Sequence, residues 1–278
     1  MSIFIDAHVH LYSEFSLDRF FAAAFNNFAK AAAKQSGAEN AQYVLALTEG
    51  GAYDVFSDLY RKKIVLDDSF VVQKTSESNS LLISREKTTL ILIAGRQLVS
   101  TENIELLSLF SPIKIEDKTL SLNHLAVAVS DNNGLPVVPW GVGKWFGSRG
   151  KVVADLLKNG CDCPLFFADN GNRPLLWPEP ALLRLASESG IPLLSGSDPL
   201  PLASHETHPA SFGSFIRDGQ ISMECPAATL KQLLLDPEQG SLNLEPFGCR
   251  TRSLKFVSDQ LRINLRNRLP ANASSEKQ

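Results

Sequence analysis

Only four cysteines occur in 278 residues, and no two of them stand in a C-x-x-C pair. That scarcity excludes a disulfide framework and a four-cysteine zinc site, and it fits reduced thiols in a cytoplasmic setting. Cys161 and Cys163 could offer two ligands to a soft metal, but no second pair completes the set. No apolar stretch approaches the ~20 residues of a membrane helix, and Met1-Ser2 runs into a strand without a basic or apolar leader region. The formal net charge of −3 gives no broad attraction to nucleic acid or anionic membrane. The partner expected from this balance is a small molecule, with neither nucleic acid nor membrane. Histidine is also scarce: there are five, and none lies between His124 and His205.

What remains is an ordinary globular composition, 44% hydrophobic and 21% charged. The length suits one α/β barrel or two small domains. Ile3–Asp6 and Tyr43–Thr48 read as short buried strands, separated by a helix that Ser16 caps and Leu17, Phe20, Phe21, Ala24, Phe25, Phe28 and Ala32 pattern as far as Gly37. Residues 64–85 hold two β-rich runs around TSESNS and read as an inserted hairpin, a candidate arm for self-association. Leu90–Ala94 is another strand, and Glu105–Phe110 is a strand or a helix end.

From Leu122 the alternation turns regular. Helices patterned by Leu122, Leu125, Ala126 and Val129, by Val152, Val153, Leu156 and Leu157, and by Leu182, Leu185 and Ala186 alternate with strands LPVVPW, PLFFA and IPLLS. That rhythm implies parallel strands covered by helices. The expected fold is an α/β, irregular (β/α)7 TIM-like barrel of mostly parallel strands over residues 1–269, with an open doubly wound sheet as the alternative. A last helix carries Leu254, Val257, Leu261 and Leu265 on one side and Lys255, Arg262 and Arg266 elsewhere, and residues 270–278 read as a disordered tail.

The first strand ends in chemistry. In IFIDAHVHLY, alternation projects Asp6, His8 and His10 to one face and Ala7 and Val9 to the other. At the C-terminal end of a barrel strand that face looks into the mouth, where two neutral imidazoles and a carboxylate suit one divalent transition metal such as zinc, iron or manganese. IPLLSGSDPLP places Asp198 just past the last strand of the alternating series, beside strand one if the sheet closes.

DAHVH, GSD at Gly196–Asp198, and weaker echoes in LALTEG and LIAGRQ make the chain resemble the PHP (polymerase and histidinol phosphatase) superfamily. The resemblance implies an irregular seven-stranded barrel and a metal-dependent phosphoesterase. The chain departs from the family pattern at Thr48-Glu49-Gly50, where Thr-Asp-His is usual, at Gly95-Arg96-Gln97, where a glutamate is usual, and at Asp198-Pro199-Leu200, where Asp-x-His is usual. A two- or three-metal cluster is therefore not expected. His8, His10 and Asp198, with Glu49 or Asp169, leave one metal with an open position, or a site that has lost its metal.

Two loops carry groups that hold anions. PWGVGKWFGSRGK offers glycine amides before a helix with Lys144 and Arg149, and ADNGNRP offers Asp169, Asn170 and Arg173; Arg96 and Gln97 end a third strand on the same rim. Trp140 and Trp145 read as pocket walls or plain core. His205 and His208 are spaced by three where a zincin helix needs four, and they read as exposed loop histidines, while His124 reads as surface. The expectation is a hydrolase in which Asp198 or Asp169 moves the proton and Lys144, Arg149 and Arg173 seat an anionic group, a phosphoester before an amide or lactone. The alternative is a degenerate relative that binds a small anion or a protein partner without catalysis.

Overall fold

All eight residues of the first strand, β1 (Ser2–Val9), are buried, which places it in the interior of a sheet rather than at an edge. The computed structural model describes residues 1–35, 40–51, 53–236 and 244–268; the expected helix end at Gly37 and the expected tail at 270–278 lie outside them. After β1 come α1 (Leu17–Ala32), β2 (Ala41–Leu47), α2 (Val55–Tyr60), β3 (Val71–Lys74), β4 (Ser80–Arg85), β5 (Thr88–Ile93), β6 (Gly95–Val99) and β7 (Glu105–Leu109). The second half runs α3 (Leu122–Asp131), β8 (Leu135–Pro139), α4 (Ser148–Asn159), β9 (Phe166–Asn170), α5 (Ala181–Glu188), β10 (Leu193–Gly196), a 3-10 turn (Ala203–Thr207), β11 (Phe212–Ile216), α6 (Pro226–Leu235), β12 (Glu245–Gly248) and α7 (Ser253–Arg268).

These strands do not form a TIM-like barrel, and the expectation of one is corrected. They build two mixed sheets, one of seven strands in the order β12-β11-β1-β2-β5-β4-β3 and one of five in the order β10-β9-β8-β7-β6. Parallel ladders join β1 to β2, β2 to β5, β8 to β9 and β9 to β10. The other ladders, β1–β11, β11–β12, β3–β4, β4–β5, β6–β7 and β7–β8, are antiparallel. For β3–β4, β4–β5 and β6–β7 the reason lies in the connections: a parallel pair needs a crossover of a dozen or more residues, and the links between β3 and β7 are too short for one. Strand–helix–strand alternation holds only where the chain carries long amphipathic helices.

Among the described residues no continuous ladder closes the two sheets on each other. They meet at two seams, and each seam is built on a glycine. At Gly95 a Cβ would lie 2.3 Å from the Leu47 carbonyl oxygen, and the isolated bridge between Glu49 and Arg96 forms beside it. At Gly196 a Cβ would lie 2.4 Å from both the Cβ and the backbone nitrogen of His8. Only glycine permits these backbone approaches, and the second delivers the end of β10 to the end of β1.

Three apolar clusters flank the sheets. α1 buries Phe20, Phe21, Ala24, Phe25 and Phe28 against Phe4, Leu45 and Leu92 of the seven-stranded sheet; each buried phenylalanine contributes on the order of 2 kcal/mol. Ser16 caps this helix by accepting a hydrogen bond from the Arg19 N–H at 3.5 Å. Ile3, Ile5 and Ala7 pack with Val137, Phe166 and Leu194 between the sheets. α3, α4 and α5 cover the outer face of the five-stranded sheet through Leu122, Leu125, Val129, Val153, Leu156, Leu183 and Ala186. α7 lies with Asp259 buried and Phe256 and Ile263 half-buried, so its leucine stripe, Leu254, Leu261 and Leu265, points outward with Val257.

Candidate metal centre

The end of β1 departs from simple alternation. Its pairing with β2 is irregular between Asp6 and Val9, and Ala7 and Val9 consequently join different apolar clusters. Bulges of this kind re-aim side chains. Here the irregularity separates Asp6 from the two histidines.

Asp6 is fully buried and serves as a clamp between distant segments. Its carboxylate accepts from Ser197 N–H at 2.8 Å, Ser197 O–H at 2.5 Å, Ala210 N–H at 2.7 Å and His8 N–H at 3.3 Å. Burial pushes its pKa up to about 6 against these hydrogen bonds. The Asp198 N–H donates to the His8 carbonyl at 2.8 Å, so the loop after β10 is laced to β1 at both Asp6 and His8.

That lacing brings His8, His10 and Asp198 together. The two Nε2 atoms are 3.0 Å apart, and Asp198 Oδ1 lies 3.6 Å from His8 Nε2 and 3.4 Å from His10 Nε2. Asp198 adopts a left-handed backbone with φ +47, a conformation that aspartate tolerates better than most residues. Asn170, at the end of β9, donates to Asp198 Oδ2 at 2.5 Å, and Asn172 donates to the Asp198 carbonyl at 2.5 Å. Burial pushes the Asp198 carboxyl up, yet His8, His10 and the two asparagines hold it below the usual carboxylate range. His10 is pushed down to about 4 by burial and by His8, which leaves its ring neutral at pH 7.

This donor set fits a metal ion. Two imidazoles and a carboxylate are first-row metal ligands, and tetrahedral bonds of about 2.0–2.1 Å set ligands about 3.3 Å apart, close to the sides of the observed triangle. Among the described residues this is the group of three that could hold an ion. One outer contact is missing: His8 Nδ1 is buried without a partner, whereas metal-bound imidazoles commonly donate from their far nitrogen.

The remaining expected site residues fall elsewhere or into supporting positions. Glu49 stays outside the trio; its Oε1 accepts from Val55 N–H at 2.5 Å, its Oε2 is buried without a partner, and burial pushes its pKa up to about 7. Arg96 donates to the carbonyls of Pro112, Gly51 and Tyr53 and so braces the loop after β2. Gln97 interacts with the His10 ring. Asp169 is held by Arg173 through both oxygens, at 2.8 and 2.5 Å, and Arg173 also donates to the Trp177 carbonyl. Lys144 pairs with Glu105 at 2.6 Å, and Arg149 donates to the Gly143 carbonyl. Asn170 faces Asp198 and the Trp140 carbonyl. Trp140 and Trp145 are core.

Two features escaped the sequence reading. Tyr12 packs its ring 5.6 Å from that of His10 and 5.8 Å from that of Tyr53, and burial, with Asp198 and Glu105 nearby, raises its phenol pKa. The expectation that His205 and His208 are exposed is overturned for His205, which is fully buried. His205 Nδ1 accepts from Leu200 N–H at 3.1 Å, its Nε2 lies 3.0 Å from Asp259 Oδ2, and Lys255 donates to the same oxygen at 2.8 Å. A glycine–serine–aspartate motif signalled Asp198, but nothing near it in sequence signalled Asp259, 54 residues after His205.

No family model and no curated relative matches the sequence. Among solved structures, the lesion-specific endonuclease PfuEndoQ from Pyrococcus furiosus aligns with 98% of this chain and 68% of its own, at 13% identity and a TM-score of 0.52. PsfC from Pseudomonas syringae aligns with 95% of this chain and 99% of its own, at 13% identity and a TM-score of 0.49. Endonuclease Q in complex with a duplex carrying an abasic lesion aligns with 88% of this chain and 58% of its own, at 11% identity and a TM-score of 0.47. The expectation that excluded nucleic acid is corrected by PfuEndoQ alone, a chain of similar fold that is named a lesion-specific endonuclease; a net charge describes the whole surface and not the mouth of one site. Among the described residues no helix is long and apolar enough to cross a membrane. At 13% identity the likeness to PfuEndoQ is a likeness of fold alone.

Proposed function

We propose that this protein is a metal-dependent hydrolase of the phosphoesterase type, with its centre at His8, His10 and Asp198. The observation that carries this reading is the triangle of three ligand atoms with sides of 3.0, 3.4 and 3.6 Å. A divalent zinc, iron or manganese ion bound there would polarise a phosphoryl oxygen and lower the pKa of water.

The chain's own residues supply the rest. Asn170 fixes the Asp198 carboxylate through Oδ2 and leaves Oδ1 toward the imidazoles. Asp6 holds the Ser197–Asp198 turn against β1 and so sets where Asp198 stands. Asp198 is the candidate to take up a proton, since Arg173 already engages both oxygens of Asp169. The fold neighbour PfuEndoQ, named an endonuclease, supports a phosphodiester as one candidate substrate beside a small phosphomonoester.

A second reading is binding without catalysis, and one observation turns it from a small anion toward a protein partner. The cations of the rim are engaged within the protein, Arg173 by Asp169, Lys144 by Glu105 and Arg96 by three carbonyls. The two readings separate on metal content. Purified protein, reloaded with zinc, manganese or iron, is measured by plasma mass spectrometry beside a His8→Ala/His10→Ala variant and then assayed on phosphomonoesters and on DNA. One ion per chain, lost in the variant, together with metal-dependent turnover is the expected result. No retained ion after reloading would overturn the hydrolase, and a retained ion without turnover on any ester would favour the binding protein.

A further inference from the structure

Away from the metal centre, the loop between α4 and β9 holds two thiols in unusual proximity. α4 ends at Gly160, whose backbone has φ +78 and whose N–H bonds back to the Leu156 carbonyl at 2.9 Å. The chain then turns through Cys161, Asp162, Cys163 and Pro164 before β9. The turn sets Cys161 Sγ 3.0 Å from Cys163 Sγ, and both residues are half-buried.

We infer that Cys161 and Cys163 are an oxidation site, a dithiol that closes to a disulfide under a peroxide and reopens under a thiol reductant. Bond formation at about 2.05 Å asks the two sulfurs to approach by roughly 1 Å. A metal is the poorer occupant, for the pair lacks a third donor: among the described residues the three-ligand group is at His8, His10 and Asp198.

The two sulfurs are not equivalent. Burial, the hydrogen bond to Cys161 and nearby Asp131 and Asp162 push the Cys163 thiol up to about 12. Cys163 therefore keeps its proton and donates toward Cys161, and the Cys161 thiolate is the first nucleophile. It attacks hydrogen peroxide, breaking the O–O bond to give a sulfenic acid and hydroxide, which takes a proton to form water. The Cys163 sulfur then displaces the sulfenic hydroxyl, which leaves as a second water with the Cys163 proton. In sum, two thiols lose two hydrogens and one peroxide becomes two waters. A disulfide spanning one residue is expected to be strained, and strained disulfides are the labile, readily reduced kind.

The remaining cysteines serve as internal controls, Cys249 exposed and Cys225 half-buried with its sulfur 3.7 Å from Thr229 Oγ1. Wild-type protein is titrated with hydrogen peroxide, alkylated with iodoacetamide and digested with trypsin. The peptide beginning at Asn159 is expected to lose both alkylation sites and about 2 Da before Cys249 is modified, and to recover both on treatment with dithiothreitol. Cys163→Ser should abolish that loss and leave a singly oxidised sulfur at Cys161, whereas Cys161→Ser should abolish it and leave Cys163 reduced. Full alkylation of both cysteines at peroxide levels that already modify Cys249 would overturn the inference, as would disulfides found only between chains or a zinc or copper ion held by the pair. The wild-type result needs no variant to fold.

Discussion

Two histidine–aspartate constellations stand close in this molecule, and they differ in what their nitrogens face. In the first, His8 and His10 point their Nε2 atoms at each other and at Asp198, and His8 Nδ1 has no partner. In the second, His205 receives Leu200 N–H at one nitrogen and meets Asp259 at the other, while Lys255 supplies the cation that Asp259 needs. The second circuit is closed: each donor has an acceptor and the charges balance within the protein. The first is open, with acceptor atoms converging on one point and no cation of the chain among them. Residue types alone do not separate a metal site from a structural node. An account of hydrogen-bond partners does.

The widest gap between the two should appear in metal content. The His8→Ala/His10→Ala variant is expected to lose its ion and to fall at least about 100-fold in any metal-dependent turnover, with its melting temperature changed far less. Circular dichroism and plasma mass spectrometry on the same preparation check both halves. Metal retained in this variant would dissolve the distinction between the constellations. Asn170→Ala comes next. Its amide orients Asp198 at 2.5 Å, and loss of such a supporting contact weakens metal binding by about 10–100-fold, measurable by competition with a chromophoric chelator. Because His8 Nδ1 already lacks an outer partner, chelators are expected to strip the ion even from the wild type.

The constellation at β1 was legible in the sequence because its pieces are short-range or motif-bound. His8 and His10 are two residues apart at a strand end, and GSD marks Asp198. The core stripes of α1 and α3 were equally legible, since Phe20, Phe21, Phe28, Leu122 and Leu125 sit at helical spacing and are buried. The stripes of α5 and α7 misled. α5 buries Leu183 and Ala186 and leaves Leu185 42% exposed, and α7 turns Leu254 outward at 88% exposure. Periodicity gives the existence of an apolar face and not what it meets. The barrel failed for a related reason: local pattern shows strands, whereas ladder direction depends on which strands meet, as at the glycine seams of Gly95 and Gly196. The expected anion-binding cations were visible as Lys144, Arg149 and Arg173, but their partners Glu105, Gly143 and Asp169 are set by tertiary contact.

Breaking the closed circuit should cost stability and leave metal alone. Asp259→Ala strands the buried His205 ring nitrogen and removes the acceptor of Lys255, at an expected cost of about 1–3 kcal/mol. Chemical denaturation gives the cost, and unchanged metal stoichiometry in the same protein would sharpen the contrast. Should Asp259→Ala lose the ion as readily as the double-histidine variant, the two constellations would be one unit.

The smallest effect expected is a pH dependence confined to the closed circuit. Burial lowers the pKa of His205, and burial with the neighbouring His205 and Lys255 lowers that of His208 to about 3, Asp259 opposing in both cases. Both rings are therefore neutral in the fold at pH 7, while in the unfolded chain they take up protons near pH 6.5. The unfolded state binds more protons below that point, so stability is fully present above about pH 6.5 and declines as pH falls toward the folded values. Asp6 works in the opposite sense, since its raised pKa of about 6 makes the folded state the better proton binder between the usual carboxylate range and pH 6. The two contributions are separated by substitution. His208→Gln removes one depressed histidine, and its melting temperature is expected to fall less than that of the wild type between pH 7 and pH 5. Parallel pH curves for the two proteins would show that His208 does not couple to folding, and would confine the circuit to His205, Asp259 and Lys255.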